Sequence, residues 1–393
     1  MGTKRNIYDV ALLVDSSSGW GRRTIEGIIS YAQECNSWNI WIEPRGQNED
    51  LKLPSGWSGD GVIARISSSK IADRLKKANV EVVNISRIEV PETSEFHRVT
   101  VDPISSAKLA FEHFRRRGFW NFAYVEPFDL PVVQEHYTAF AEILKDNEMD
   151  FNLYVPPSKP KVGSTWKVIK ESMTEWLHSL QKPVAIYTWG SDIGRMVINL
   201  CVKAEIPVPH EVAVLGGDDD ELLCNATRPA QSGIVVPAIG IGRTAAKLLD
   251  DLMHGKRPGQ QQFVIESQQI NERSSTDVFA LSDRQTVQAL RYLRENFMHP
   301  MTIVDLLEAV PMARRNLELK FQKQLGRTPA DELRTLRLAH AQKLLVETEL
   351  SIQEIAEHCG LSSYNYLTHF FKRITGETPV RYRKRARHSI QRM

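Results

Sequence analysis

The sequence predicts an α/β front of two doubly wound subdomains, followed by an all-α back with two helix-turn-helix units. Three observations predict it. Between Val10 and about Ile265, short apolar runs alternate with longer helical patterns. Beyond Asp283 the pattern is helical throughout. Within that helical part, Leu317-x3-Phe321-x4-Gly326-x2-Pro329 recurs fifty residues later as Leu367-x3-Phe371-x4-Gly376-x2-Pro379. A duplication of this kind is what a pair of groove-reading helices needs.

In the front, the expected strands are Val10–Val14, Gly61–Ala64, Val80–Ile85, Phe122–Val125, Ala185–Thr188, Val212–Leu215 and Ile234–Val236. The expected helices between them are Arg22–Glu34, Ile71–Lys77, Ile104–Arg117, Val132–Lys145, Trp166–Leu180, Asp192–Lys203 and Ile239–His254. Short β-branched runs followed by long helical ones imply βαβ units on parallel sheets, with a ligand crevice at the strand C-termini. Glu266–Asp283 has no clear period. The expected division is therefore a front domain over 1–270, a linker over 271–283 and a helical domain over 284–393.

The helical part begins with Thr286–Phe297, closed by His299-Pro300. Thr302–Ala309 and Arg314–Lys323 form the first unit. A long helix from Pro329 to about Val346 leads to Ser351–His358 and Tyr364–Ile374, and a short terminal helix follows Pro379.

Charge divides along the same line. From Arg284 onward there are 19 Lys and Arg against 11 Asp and Glu, whereas the front holds 31 against 37. A basic module on an acidic front suits binding of a polyanion by the back alone. The longest apolar run near the N-terminus is Val10–Val14, so no signal peptide or membrane span is expected. Cys35, Cys201, Cys224 and Cys359 lack metal-ligand spacing and read as reduced packing residues of a cytoplasmic protein.

In the second unit Ser351 and Glu354 form a capping box, Gly360 supplies the turn and Ser363 can cap the next helix. Leu367, Phe370 and Phe371 then face inward, while Asn365, Tyr366 and His369 face outward near the helix start. There Asn can pair bidentately with adenine, and His can donate to guanine or phosphate; an ordinary solvated helix face is the alternative. The first unit has Pro311 and Ala313 in place of the turn glycine and capping serine, so its helix start is expected to be weaker by about 1 kcal/mol. Its outward face carries Arg314, Arg315, Asn316, Glu318 and Leu319. Arg315 is the candidate for guanine and Arg314 for phosphate. The run Arg381-x-Arg383-Lys384-Arg385-x-Arg387 reads as general phosphate attraction or a frayed tail.

The segment from about Asp283 to Arg387 resembles the DNA-binding domain of AraC-type regulators. The resemblance is carried by Ile352-x-x-Ile355-Ala356-x3-Gly360, Tyr366-x4-Phe371-Lys372 and Gly376-x-x-Pro379-x-x-Tyr382-Arg383. It implies two recognition helices in successive major-groove segments of double-stranded DNA, joined by the long helix that carries Arg337. In the front, Asp60-Gly61-Val62-Ile63, Val101-Asp102, Gly118-Phe119-x3-Ala123-Tyr124 and the run from Ile206 to Asp218 resemble the periplasmic-binding-protein-like core of lac-repressor-type regulators. The combination is similar to the xylose-operon regulators. This implies a monosaccharide effector, D-xylose, and activation as the output; a different pentose, hexose or sugar derivative is the alternative. A homodimer is expected, with RNA polymerase as a further partner.

Sugar hydroxyls favour a carboxylate or guanidinium able to bond two at once, with an aromatic face over the ring. Asp15, Trp20 and Arg22 follow the first strand, and Trp189 follows the strand at Ala185; the alternative for each is a turn-stabilising role. The resemblance places the family's sugar-binding aspartate at Asp218, with helix capping as the alternative. Many family members have an arginine shortly before the Phe140 segment, where this chain has Glu135-His136-Tyr137, so His136 is a candidate for altered hydroxyl recognition. Asp102 reads as a helix cap.

No cofactor or metal is expected. Gly240-x-Gly242-x-x-Ala245 lacks the context of a dinucleotide fingerprint and reads as close packing of a helix start on a strand. Asp218-Asp219-Asp220-Glu221 is too contiguous to converge on an ion. No catalytic residues are assigned; an enzyme fused to a DNA-binding module is the alternative of another class.

Overall fold

The structure, a computed structural model, describes residues 7–44, 51–126, 131–157, 165–281, 283–361 and 363–384. Two compact units divide between Val278 and Phe279, with Arg115–Gly118 counted in the second.

The front unit begins β1 (Tyr8–Leu13), α1 (Gly19–Cys35), β2 (Trp38–Ile42), β3 (Gly61–Ala64), α2 (Ser69–Ala78), β4 (Glu81–Asn84) and β5 (His97–Val101). It crosses through α3 (Pro103–Arg116) into β6 (Asn121–Val125), α4 (Pro131–Asp146), β7 (Phe151–Tyr154), α5 (Thr165–Ser179), β8 (Val184–Thr188), α6 (Ser191–Lys203), β9 (Val212–Gly216), α7 (Glu221–Asn225) and β10 (Ser232–Val235). It returns through α8 (Ala238–Met253) to β11 (Gln262–Ile265) and crosses once more to β12 (Gln269–Asn271). The two sheets have the strand orders β11-β5-β4-β3-β1-β2 and β12-β10-β9-β8-β6-β7. All neighbours are parallel except the edge pair β10–β12. The expected pair of doubly wound subdomains is therefore present.

Strands in the middle of each sheet are covered on both faces and read as unbroken apolar runs; β8 and β9 are buried along their whole length. The strands that the sequence pattern omits, β2, β5, β7, β11 and β12, each bury at most one side chain. They lie at or beside a sheet edge, where no apolar run is required.

Gly240-x-Gly242-x-x-Ala245 is a packing element, as expected, but its partner is a helix. A Cβ on Gly242 would stand 2.1 Å from the Thr24 carbonyl oxygen, and one on Gly27 would stand 2.2 Å from that of Ile239. Helices α1 and α8 therefore touch backbone to backbone.

Asp102 caps α3 through the Ile104 and Ser105 amides, at 3.1 and 3.0 Å. Its own amide donates to the Ile265 carbonyl at 2.9 Å, and Ser106 Oγ lies 3.0 Å from Ser267 Oγ. Two of the lobe crossings are thus tied to each other where they pass.

The stretch expected as a linker is mostly folded into the front unit. Asn271 pairs with Gly233 in the second sheet, and Ser275 Oγ donates to the Val214 carbonyl at 2.6 Å. Such a short edge strand held by hydroxyls leaves no periodic signature.

The second unit contains α9 (Arg284–Asn296), α10 (Ile303–Ala309), α11 (Arg314–Leu325), α12 (Pro329–Glu347), α13 (Ile352–His358) and α14 (Tyr364–Thr375), with residues 379–384 also helical. It has two small cores. Leu317 and Phe321 are fully buried in the first, and Leu367 and Phe371, fifty residues on, are fully buried in the second. The sequence repeat is thus a repeat of core positions.

Candidate functional site

The loops at the C-terminal ends of both sheets meet. The Gly19 amide at the start of α1 donates to Asp220 Oδ2 at 2.7 Å, and Arg23 Nη2 donates to the Asp219 carbonyl at 2.8 Å. Arg87, beyond β4, reaches Glu135 on α4 at 2.8 Å. Each of these bonds joins one lobe to the other.

On the first lobe, Asp15 is buried and fully engaged. Its Oδ1 accepts from Ser18 Oγ at 2.7 Å, and its Oδ2 accepts from Arg65 Nη1 at 2.8 Å. Arg65, the first residue after β3, lies with its guanidinium carbon 5.5 Å from the centre of the Trp20 ring. Asp15 therefore orients a cation that stacks on an aromatic face, and that cation stays partly open to solvent. Arg22 bonds the carbonyls of Ser16 and Ser17 at 3.2 and 2.7 Å, so it braces the loop from its own side.

On the second lobe, His136 is 5% exposed, with Nδ1 2.8 Å from Tyr124 Oη and Nε2 2.9 Å from Tyr187 Oη. Burial, helped by the nearby Arg87 cation, lowers its pKa to about 3, so the ring is neutral. A neutral imidazole offers one donor and one acceptor. One tyrosine hydroxyl therefore donates to the ring while the other accepts from it. Trp189 packs edge-on to His136 with ring centres 5.2 Å apart. His136 thus organises the aromatic wall, with both of its nitrogens occupied.

Asp218, at the end of β9, is half-buried. Its Oδ1 accepts from the Ser191 amide at 2.7 Å and from the Ser191 hydroxyl, which fixes the start of α6. Burial pushes its pKa up, against the pull of the two Ser191 bonds. Oδ2 has no partner among the described residues. The carboxylate thus caps a helix with one oxygen and leaves the other unengaged.

The structure brings Asp15 and Trp20 into one cluster and His136, Trp189 and Asp218 into a second. Sequence reasoning missed Arg65, Arg87, Tyr124, Tyr187 and Ser191. Arg65 and Arg87 follow strand C-termini, the same positional signal that singled out Asp15 and Trp189. No group of His, Cys, Asp or Glu able to hold a metal occurs among the described residues. A cavity of about 130 Å³ between α5 and α6, lined by Lys170, Arg195 and Lys203, contains none of the residues of either cluster.

In the helical unit, Ser363 accepts the Tyr366 amide and caps α14, and Ser351 with Glu354 forms the expected capping box. Ala313 makes no cap on α11. The helix before it carries a box of its own, from Thr302 and Asp305, that sequence reasoning overlooked. Arg314, Arg315 and Asn316 are exposed on α11, and Asn365, Tyr366, His369 and Lys372 are exposed on α14. Arg314 Nε pairs with Glu318 at 2.9 Å. Leu319 is exposed, and Tyr366 stacks on Phe370. Arg337 turns inward, donating to the carbonyls of Phe297 and His299 at 3.0 Å each. A Cβ on Gly360 would meet the same His299 oxygen at 2.4 Å, and its φ of +64° suits glycine. Arg385 and Arg387 lie outside the described residues.

Comparison with known proteins matches this architecture piece by piece. Residues 9–96 match the family described as the XylR N-terminal domain. Residues 111–276 match the periplasmic binding protein-like domain, and residues 306–385 match the helix-turn-helix domain. The chain is 29% identical to the xylose operon regulatory protein of Escherichia coli (strain K12), covering 98% of both chains. It is 26% identical to that of Haemophilus influenzae, covering 96% of this chain and 98% of the relative. A solved structure of the xylose-binding transcription activator xylR superposes with a TM-score of 0.62 at 28% identity, covering 98% of this chain and 99% of that one. The chain is homologous from end to end to the xylose operon regulatory proteins, and it is a transcription regulator of that kind, with a periplasmic-binding-protein-like front and an AraC-type helix-turn-helix back.

Proposed function

We propose that the front unit binds a monosaccharide, D-xylose, between its lobes, and that binding resets the placement of the DNA-binding units of a cytoplasmic homodimer to activate transcription through RNA polymerase. The observation that carries the ligand class is the pair of strand-end clusters. Arg65 over Trp20 offers a forked donor beside an aromatic face, and Asp218 Oδ2 offers an acceptor opposite. The full-length likeness to xylose operon regulatory proteins supports the particular sugar.

In this reading Asp15, Trp20, Trp189 and Asp218 serve the sugar together with Arg65, while Arg22 and His136 shape the loop and the wall behind it. Calorimetric titration against pentoses and hexoses tests it: heat with D-xylose is expected, and no heat with any sugar would sink the sensor reading.

The DNA side rests on the exposed starts of α11 and α14. In this reading Arg315, Asn316, Ser363, Asn365, Tyr366 and His369 serve as groove residues, with Arg314, Glu318 and Lys372 at their margins; all but Ser363 and Glu318 are exposed. We expect no turnover of the sugar. Burial pushes the thiols of Cys201, Cys224 and Cys359 up to about 12, which suits packing and opposes a transferable adduct. No helix among the described residues is long and apolar enough to cross a membrane.

A further inference from the structure

The loop after β9 carries three consecutive aspartates, and each is committed in a different direction. Asp218 holds the start of α6 and keeps Oδ2 for the cleft. Asp220 accepts the Gly19 amide from the first lobe and caps α7 through the Leu223 amide at 3.4 Å. Asp219 faces the second lobe's own interior. Its side chain is 4% exposed, Oδ1 accepts from Arg273 Nη1 at 2.6 Å, and Oδ2 accepts from Asn271 Nδ2 at 2.5 Å. Its backbone carbonyl meanwhile accepts from Arg23 of the first lobe.

Asn271 and Arg273 belong to β12 and the turn after it, the last elements of the front unit before the chain passes Val278. Arg273 is itself gripped from several sides. Its guanidinium donates to the Gln231 carbonyl at 3.0 Å, and its amide donates to Ser232 Oγ at 2.8 Å. Little slack therefore lies between the Asp219 carboxylate and the exit strand.

We infer that Asp219 is the residue that couples occupancy of the cleft to the path by which the chain leaves toward its DNA-binding unit. It stands between the aspartate that faces the ligand and the aspartate that joins the lobes, and it grips the two exit residues with a buried charge. The Asp219 carboxylate is buried and cannot part from the Arg273 guanidinium without leaving its own charge uncompensated, so a displacement of the loop is passed to Arg273 rather than absorbed. Asp219 touches no ligand in this scheme; it is a positioning residue. The inference rests on the reading of the cleft as the effector site.

The full-length chain tests it through Asp219→Asn and Arg273→Lys. Sugar affinity is measured by calorimetry, and DNA affinity with and without D-xylose by anisotropy, on an operator selected from random DNA by the unaltered protein. Both variants are expected to keep sugar affinity and sugar-free DNA affinity within about threefold. The change in DNA affinity that the sugar induces is expected to shrink about tenfold. Undiminished coupling overturns the inference, as does a loss of sugar affinity in step with the melting temperature. Should Asp219→Asn fail to fold, Asn271→Ala removes one of the same two bonds, and a partial loss of coupling is expected. If the unaltered protein binds no sugar, the effector reading fails on its own. The clamp is then judged by hydrogen exchange: amides of Ser275 and Thr276 are expected to exchange faster in Asn271→Ala, and unchanged exchange there overturns it.

Discussion

Asp15 and Arg65, fifty residues apart, form a 2.8 Å ion pair that lays the guanidinium over Trp20. The carboxylate is buried and the cation is one-third exposed, so the pair sets an orientation more than it stabilises the fold. Asp15→Asn keeps the shape and removes the charge. Sugar affinity is expected to fall at least about tenfold, with a stability loss of about 1–2 kcal/mol at most. Arg65→Lys keeps the charge and loses the planar fork, and should lower affinity with no change in melting temperature. Calorimetry beside thermal melting separates the two effects.

His136 gives the front unit a pH response of definite sign. Its folded pKa is depressed from 6.5 to about 3, so between those values the unfolded chain binds a proton that the folded one does not. Stability contributed by the neutral ring is complete above pH 6.5 and is lost as pH falls toward 3. The limiting slope is about 1.4 kcal/mol per pH unit. Urea midpoints measured from pH 7 to pH 4.5 should fall with this extra proton uptake, and His136→Gln should flatten the curve.

The N-cap residues of α11 and α14, Ala313 and Ser363, differ by one hydroxyl. Ser363→Ala should cost the helical unit about 1 kcal/mol, and Ala313→Ser should stabilise it by up to about that amount. Thermal melting of the two variants reads this directly. No gain from Ala313→Ser would show that the helix start is held by its packing.

At the groove, Asn365→Ala is expected to weaken binding to a specific operator much more than to random DNA, and equal losses would make Asn365 a backbone contact. Glu318→Ala should do the opposite of a typical loss. It releases Arg314 from its 2.9 Å partner and removes a negative charge, so affinity for random DNA should rise.

The sequence disclosed those parts of the site that follow from position along a strand or a helix. Asp218 and Trp189 end buried apolar runs, and Ser363 precedes a helix at fixed spacing, so each is visible locally. Arg87 and Tyr187 are not: Arg87 finds Glu135 only where the two lobes face each other, and Tyr187 finds His136 only where β8 packs on α4. His136 was legible as a candidate, yet its state depends on two tyrosines that only the fold places against it. Exit residues 271–276 were legible only as irregular, since hydroxyl-to-carbonyl bonds such as that of Ser275 impose no period.

Arg337 and Gly360 converge on the His299 carbonyl, so the long helix, the first helix of the unit and the turn of the second reader are locked at one point. α12 spans 19 residues, which at the helical rise makes a strut about 28 Å long. A strut fixed at its middle is expected to hold α11 and α14 at one spacing and one phase, so that operator spacing matters as well as operator sequence. Inserting about five base pairs between the two contacted segments would turn one reader to the wrong face of the duplex, and inserting a full turn would put it beyond reach.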